Sequence, residues 1–157
     1  MKFNPVAFVI NIFIPLAIGT LGAFFTASSV KTWYVMLAKP SFNPPNEIFA
    51  PVWTCLYVLI GTAAYLVWQK RDTIKHQPRT IAIYFIQLML NLMWSFIFFY
   101  TREIGIALIE ISFLLVATIV NAIVFYKIDK NAGLLFIPYI IWVGFATVLT
   151  YNIFILN

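Results

Sequence analysis

Five long apolar runs constrain what this chain can fold into. They cover about 6–27, 46–69, 80–100, 104–126 and 132–156. Each can cross the hydrocarbon core of a bilayer as a helix, which takes about 20 residues, whereas the strands of a membrane barrel have only about 10. The sequence therefore predicts an all-α fold, an integral membrane bundle of five transmembrane helices.

The composition agrees with lipid as the solvent. The chain has 157 residues, of which 63% are hydrophobic and 10% charged, against about 25% charged in a soluble domain. Short connections predict a single domain over 1–157. The net charge of +5 comes from basic residues in loops, so it indicates topology and not a nucleic-acid partner. We expect the N-terminal run to be a retained helix, with a signal peptide as the minor alternative.

Metal and hydrolytic chemistry are poorly supported. Cys55, the single cysteine, excludes an intrachain disulfide and is predicted to be a small buried packing residue. His76, the single histidine, lies in a basic loop and is expected to be solvated. We therefore predict no metal or axial haem site and no required cofactor. A serine-histidine-aspartate set and a pair of carboxylates within one span are also missing from the sequence.

Residues 33–57 combine a proline-rich loop with the start of the second helix. Loop 1, residues 28–45, contains Pro40, Pro44 and Pro45. Asn46 is placed to cap the helix and Glu47 to interact with its dipole. The residues Trp53, Tyr57, Gly61 and Ala64 share one face, with small residues below large ones that leave room. The stretch is predicted to be the lid and upper wall of a pocket for a flat, apolar ligand.

Three other helices carry candidate faces. In the third, Gln87, Asn91 and Ser95 recur every four residues beside Trp94, and facing lipid would be costly for them. Interhelical hydrogen bonding and ligand contact are about equally favoured there. In the fifth, Trp142 lies too deep for an interfacial belt and is expected to face inward, in line with Ala146 and Thr150. In the first, the small residues Gly19, Ala23 and Ala27 favour a packing face, although Ala23 could instead border a cavity.

Glu110 is the one ionisable residue well inside a predicted span. Such a carboxyl is a candidate for proton coupling. The alternatives are a position near the interface, or a protonated and hydrogen-bonded side chain.

Four segments, WY…L.KPSFNPP, PVWTCLY, QLMLNLMWSFIFF and PYIIWVGFATVL, occur in this order across the five predicted helices. In these segments the chain resembles the TspO/MBR family of translocator proteins and tryptophan-rich sensory proteins. The resemblance is to a bacterial member of the family. The resemblance implies a five-helix bundle, commonly a homodimer, that binds protoporphyrin IX and other tetrapyrroles. It also implies binding of benzodiazepine-type and isoquinoline carboxamide ligands, and some bacterial members are reported to degrade protoporphyrin in light.

The resemblance places the pocket between loop 1 and the second, third and fifth helices. The ligand-binding residues it implies are Trp33, Pro44, Trp53, Tyr57, Asn91, Trp94, Phe98, Tyr139, Trp142, Ala146 and Leu149. Trp53 and Trp142 are the pair associated with porphyrin chemistry, the candidate catalytic residues. The family's usual Leu-Asn-Tyr reads Leu149-Thr150-Tyr151 here, and a cholesterol motif after Tyr151 is incomplete, so specific cholesterol binding is not predicted.

Three functions compete at this point. The favoured one is a membrane receptor or sensor for tetrapyrroles or another flat apolar molecule, in which Trp53 and Trp142 stack on the ligand. Three exposed cations on the loop 1 side would pair with porphyrin propionates and add modestly to the binding free energy: Lys31, Lys39 and Arg102. The alternatives are a light-dependent porphyrin-degrading enzyme and a small-molecule or porphyrin transporter coupled through Glu110.

The loop charges predict the orientation in the cell membrane. The N-terminus, loop 2 (between the second and third runs) and loop 4 (between the fourth and fifth runs) fall on one side of the membrane. That side has seven basic residues and the other side three: Lys2, Lys70, Arg71, Lys75, Arg79, Lys127 and Lys130 against Lys31, Lys39 and Arg102. The positive-inside rule then places the N-terminus in the cytoplasm, and loop 1 and the C-terminus outside. Cysteine-accessibility labelling of the two termini in intact cells should give opposite results; labelling of both from one side would contradict five spans.

Overall fold

The structure, a computed structural model, describes residues 3–157 and consists of helices packed in one bundle. The helices are α1 (Pro5–Val30), the short α2 (Trp33–Met36), α3 (Asn46–Gln69), α4 (Gln77–Ser95), α5 (Ile104–Ile128), the short α6 (Lys130–Leu134) and α7 (Ile137–Leu156). Five helical stretches are long and apolar enough to cross a membrane. The predicted all-α fold is confirmed. Lys2, which contributed to the predicted orientation, lies outside the described residues.

Several helix ends differ from the predicted ones for local reasons. The side chain of Asn4 accepts a hydrogen bond from Ala7 N at 3.0 Å, and α1 starts one residue earlier than expected. Helix α4 begins at Gln77, with Pro78 in its first turn, where proline is well tolerated. Asp129 caps α6 through Ala132 N at 3.1 Å, and the fifth span is interrupted between α6 and α7.

Two predictions about the second span are wrong. Asn46 does not cap α3, because Pro45 occupies the cap position, without a side-chain hydrogen bond, and Asn46 is the first helical residue. Cys55 is exposed and not buried. It lies on the outer face of α3, where lipid accommodates a small, weakly polar thiol as well as a protein interior does.

The helices form a ring in the order α3, α1, α4, α5 and α7. Contacts link α1 to both α3 and α4, α4 to α5, and α5 to α7, and α6 closes the ring against α3. We call the end of the bundle that carries loop 1 the upper end, and the end that carries loop 2, residues 70–76, the lower end. A π-helical turn, Phe96–Thr101, finishes the third span at the upper end, before Arg102 in the left-handed region (φ 61°).

Helix α1 crosses the bundle obliquely. In its lower half it lies against α3, where Asn4 N donates to the Tyr65 hydroxyl at 2.9 Å. In its upper half it lies against the end of the third span, where Ser29 Oγ donates to Phe99 O at 2.6 Å. It therefore diverges from α3 above and from α4 below, and each divergence leaves a hollow.

Glycine makes the lower contact possible. A Cβ built on Gly61 would come within 2.5 Å of Ile12 Cα and 2.8 Å of Asn11 O, so the two backbones approach more closely than any side chain allows. The room predicted beside Gly61 is therefore filled by α1, and the open space lies above Tyr57 instead.

Substitution of Gly61 by alanine should destabilise the bundle by about 1–3 kcal/mol, because backbone atoms cannot move aside as a flexible side chain can. Gly144→Ala is the matched control, since a Cβ there meets nothing within 4 Å. Removing a helical glycine should leave stability unchanged or raise it by up to about 1 kcal/mol. Unfolding of the purified protein in mixed micelles at increasing dodecyl sulfate measures both. Equal effects of the two substitutions would rule out the close contact.

Candidate ligand-binding site

A cavity of about 570 Å³ occupies the hollow between the upper halves of α1 and α3. The upper part of the third span and helix α7 form its back, and Lys31 and Tyr34 line it from loop 1. Exposed small residues border it on α1 (Ala23, Ala27) and on α3 (Ala50). The cavity is thus roofed by loop 1 and opens sideways between two helices.

Helix α3 contributes the aromatic wall. Phe49, Trp53 and Tyr57 line the cavity at intervals of four residues, which places them on one helical face. The Trp53 indole stacks on the Tyr57 ring, with centroids 5.6 Å apart and planes 26° apart. Large flat surfaces therefore line one side of the cavity.

A buried network of hydrogen bonds joins three helices at the floor. The Tyr57 hydroxyl donates to Asn91 Oδ1 at 2.6 Å, and Asn91 Nδ2 donates to the Tyr139 hydroxyl at 3.1 Å. Gln87 Nε2 donates to the same hydroxyl at 2.9 Å. The network fixes the Tyr57 ring, on which Trp53 stacks.

The back wall is a second aromatic layer. Trp94 stacks on Phe98, with centroids 5.3 Å apart, and Trp33 packs edge-on against Phe98 from the outside. The π-helical turn starts just after Trp94 and brings both Phe98 and Phe99 to the cavity. Turns of this kind are rare and often occur at functional sites.

Loop 1 is fastened over the cavity at two points. The buried Tyr34 hydroxyl donates to Asn43 Oδ1 at 2.9 Å, and burial raises the pKa of Tyr34 to about 12 although this hydrogen bond lowers it, so the side chain stays neutral. Asn43 Nδ2 donates in turn to Pro44 O. Further along, the Asn157 side chain accepts from Ala38 N and donates to Ala38 O, both at 3.0 Å.

The three expected cations are placed differently. Lys31 lines the cavity. Lys39 Nζ lies 4.8 Å from the centre of the Tyr34 ring and donates to Leu37 O, so it holds the loop. The Arg102 guanidinium lies 5.9 Å from the centre of the Trp33 ring. Lys31 is therefore the cation that faces the cavity.

Comparison with known proteins identifies the family. The family model described as "TspO/MBR family" matches residues 11–156. The chain belongs to the TspO/MBR family. Together with the five apolar helices, this membership indicates a multi-pass membrane protein.

Curated relatives extend over nearly the whole chain. The tryptophan-rich protein TspO of Archaeoglobus fulgidus is 42% identical over 98% of this chain and 99% of its own. The tryptophan-rich sensory protein of Cereibacter sphaeroides is 37% identical over 80% of this chain and 77% of its own. The human translocator protein is 33% identical over 83% of this chain and 78% of its own.

The cavity brings together about half of the residues that the TspO/MBR resemblance implied. Those that line it are Trp53, Tyr57, Trp94, Phe98, Ala146 and Leu149. The others support the lining or lie apart from it: Asn91 and Tyr139 form the hydrogen-bonded floor, Trp33 covers Phe98, Pro44 accepts from Asn43, and Trp142 packs against Phe49 with centroids 5.9 Å apart.

Helix α1 forms a wall of the cavity, in line with the alternative given for Ala23, although the resemblance placed the pocket between loop 1 and the second, third and fifth helices. On its small-residue face, Gly19 meets the Tyr57 ring closely and the adjoining Gly22 meets Ser95, while Ala23 and Ala27 are exposed and line the cavity. Thr20 and Thr26 line it as well. The sequence analysis missed Phe49, although its position four residues before Trp53 was a usable signal.

Glu110 lies outside the cavity lining. It is 7% exposed, and neither carboxyl oxygen has a hydrogen-bond partner among residues 3–157. Its role in proton coupling stays a prediction.

A double-mutant cycle of Tyr57→Phe and Asn91→Leu should show that the floor network is energetically coupled. We expect an interaction energy of about 0.6 kcal/mol, and at most about 1.7, as found for hydrogen bonds between membrane helices. Unfolding in mixed micelles supplies the four free energies. As a control, Tyr57→Phe combined with Asn152→Leu should be additive, because Asn152 bonds only to its own helix at Val148 O. Additivity in the first cycle would mean that the network is not formed.

Proposed function

We propose that this TspO/MBR protein is a membrane receptor or sensor that binds a flat, mainly apolar ligand of the tetrapyrrole class, such as protoporphyrin IX, in the upper cavity. The observation that carries the proposal is the aromatic wall of Phe49, Trp53 and Tyr57 facing a cavity of about 570 Å³. That volume lies within the range of about 300–1,000 Å³ typical of small-molecule sites. Smaller aromatic ligands of the benzodiazepine and isoquinoline carboxamide types suit the same wall.

The sideways opening supports a ligand larger than the enclosed space. A rigid macrocycle can enter edge-on between α1 and α3, past alanine side chains, without displacing a large residue. Lys31 lies at this cavity and can pair with one propionate. Because the lysine is exposed, the pair should contribute little and depend on salt.

The predicted orientation gives the direction of access. With loop 1 outside, the opening faces the outer half of the bilayer. Support for this orientation comes from the excess of basic residues at the lower end of the bundle.

Binding of protoporphyrin in the dark should weaken about two- to tenfold in Trp53→Phe, because the phenyl ring offers a smaller stacking surface and buries less area than the indole. Titration followed by the protoporphyrin absorbance measures this. Trp68→Phe is the matched control, a half-buried tryptophan at the lower end that stacks on Tyr65, and it should bind as the wild type does. Unchanged binding in Trp53→Phe, or equal losses in both variants, would contradict the proposal.

Illumination distinguishes the alternative enzyme. Trp53 lines the cavity, whereas Trp142 lies behind Phe49, so light-driven degradation of a bound porphyrin, with dissolved oxygen as the oxidant, would depend more on Trp53. Loss of the protoporphyrin spectrum in the light with wild type, and its retention with Trp53→Phe at saturating ligand, would favour the enzyme. A protoporphyrin spectrum that is equally stable with both proteins would favour the receptor function over the enzyme.

A further inference from the structure

A second hollow lies at the lower end of the bundle, on the other side of α1. Here α1 diverges from α4 and leaves an apolar groove of about 180 Å³. Ile14, Val67, Ile81 and Phe85 line it, and Phe125 lies among the lining residues from α5. None of the residues that line the upper cavity lines this groove.

One cation is fixed among the groove's lining residues. The Arg71 guanidinium carbon lies 4.0 Å from the centre of the Trp68 ring, and Arg71 Nη1 donates to Trp68 O at 3.1 Å. Both residues line the groove. With Nη1 bonded to Trp68 O, the N–H groups of Nη2 and the second N–H of Nη1 remain to donate to the oxygens of a phosphate. The groove thus combines an apolar trough with a positioned anion-binding group.

The neighbouring charges leave Arg71 as the cation available to a ligand. Lys70 Nζ lies 2.7 Å from Asp129 Oδ2. Burial alone would raise the pKa of the Asp129 carboxyl, but hydrogen bonds from Lys70 and from backbone N–H groups hold it below its usual value, so the pair stays charged and self-neutralised. Asp72 lies 3.9 Å from Arg71 Nε, but its side chain is 85% exposed and its charge is well screened by water.

The groove has the depth and position of a lipid site. Its lining runs from Gln77, the first residue of α4, to Phe85. At 1.5 Å per residue, this stretch of α4 is about 12 Å long, enough for the first part of an acyl chain. Lys75 and Arg79 are exposed at the same end of the bundle but do not line the groove.

We propose that the groove binds one anionic phospholipid of the leaflet at the lower end, with an acyl chain between α1 and α4 and its phosphate on the Arg71 guanidinium. The apolar lining accounts for the acyl chain, and the stacked arginine accounts for a preference for a headgroup whose phosphate charge is not offset by a choline cation. The site is separate from the proposed tetrapyrrole cavity and does not depend on it.

Native mass spectrometry of the purified protein with equal amounts of phosphatidylglycerol and phosphatidylcholine tests the proposal. The wild type should retain one phosphatidylglycerol in preference to phosphatidylcholine. Arg71→Gln should lower that preference about fivefold, because it removes the ion pair with the phosphate of the bound lipid. Arg79→Gln removes the same charge from an exposed position that does not line the groove, and it should change the preference less than twofold.

Two further experiments separate the contribution of the acyl chain from that of the headgroup. Ile81→Trp fills the groove without changing charge and should reduce retention of both lipids. Glycerol phosphate, which has no acyl chain, should not displace phosphatidylglycerol from the wild type. Equal effects of Arg71→Gln and Arg79→Gln, full retention in Ile81→Trp, or displacement by glycerol phosphate would each overturn the proposal. Arg71→Gln should unfold in mixed micelles at the same dodecyl sulfate fraction as the wild type, which shows that it is folded.

Discussion

The contact of α1 with α3 at Gly61 is the constraint on which the other features depend. Lipid gives no hydrophobic drive for two apolar helices to associate, so close fit between their backbones must do so. Ile12 Cα could not lie where it does if residue 61 carried a Cβ. Once α1 is held to α3 below, its oblique course towards Phe99 opens one hollow above and another on the opposite side below.

Hydrogen bonds between three helices stiffen the floor of the upper cavity, although Gln87 Oε1 has no partner among the described residues. In hydrocarbon an unpaired hydroxyl or amide is costly, and the Tyr139 hydroxyl accepts from two amides on α4 while Asn91 accepts from Tyr57. The aromatic wall above is therefore preorganised, and less conformational freedom is lost when a flat molecule binds to it. The wall formed by α1 carries small side chains and does not present a similarly fixed surface to the ligand.

The sequence predicted the spans and the aromatic face of α3, because length and four-residue spacing are local properties. The sequence did not predict which hollow α1 borders, because the lipid-facing and protein-facing residues of α1 are equally apolar. The course of α1 is also decided by a residue 49 positions away, since Ile12 contacts Gly61. The same ambiguity made Cys55 look buried. The π-helical turn at Phe98 was also beyond local pattern, because it adds a residue to a turn without any proline or glycine to mark it.

The pairing of the Asn157 amide with the Ala38 peptide is a weak attachment of loop 1 to the end of α7. The Asn157 side chain makes the pair of hydrogen bonds to Ala38 that a neighbouring strand would make in a β-sheet. Both bonds are exposed to solvent, and water can replace them. Two neutral hydrogen bonds contribute about 1–3 kcal/mol together. Leu37 packs against the aromatic cluster, and the Phe42 and Phe145 ring centroids lie 6.3 Å apart, so a few weak contacts share the attachment of this part of the loop. All of them can break without unfolding any helix, while Tyr34 keeps the first turn of loop 1 in place.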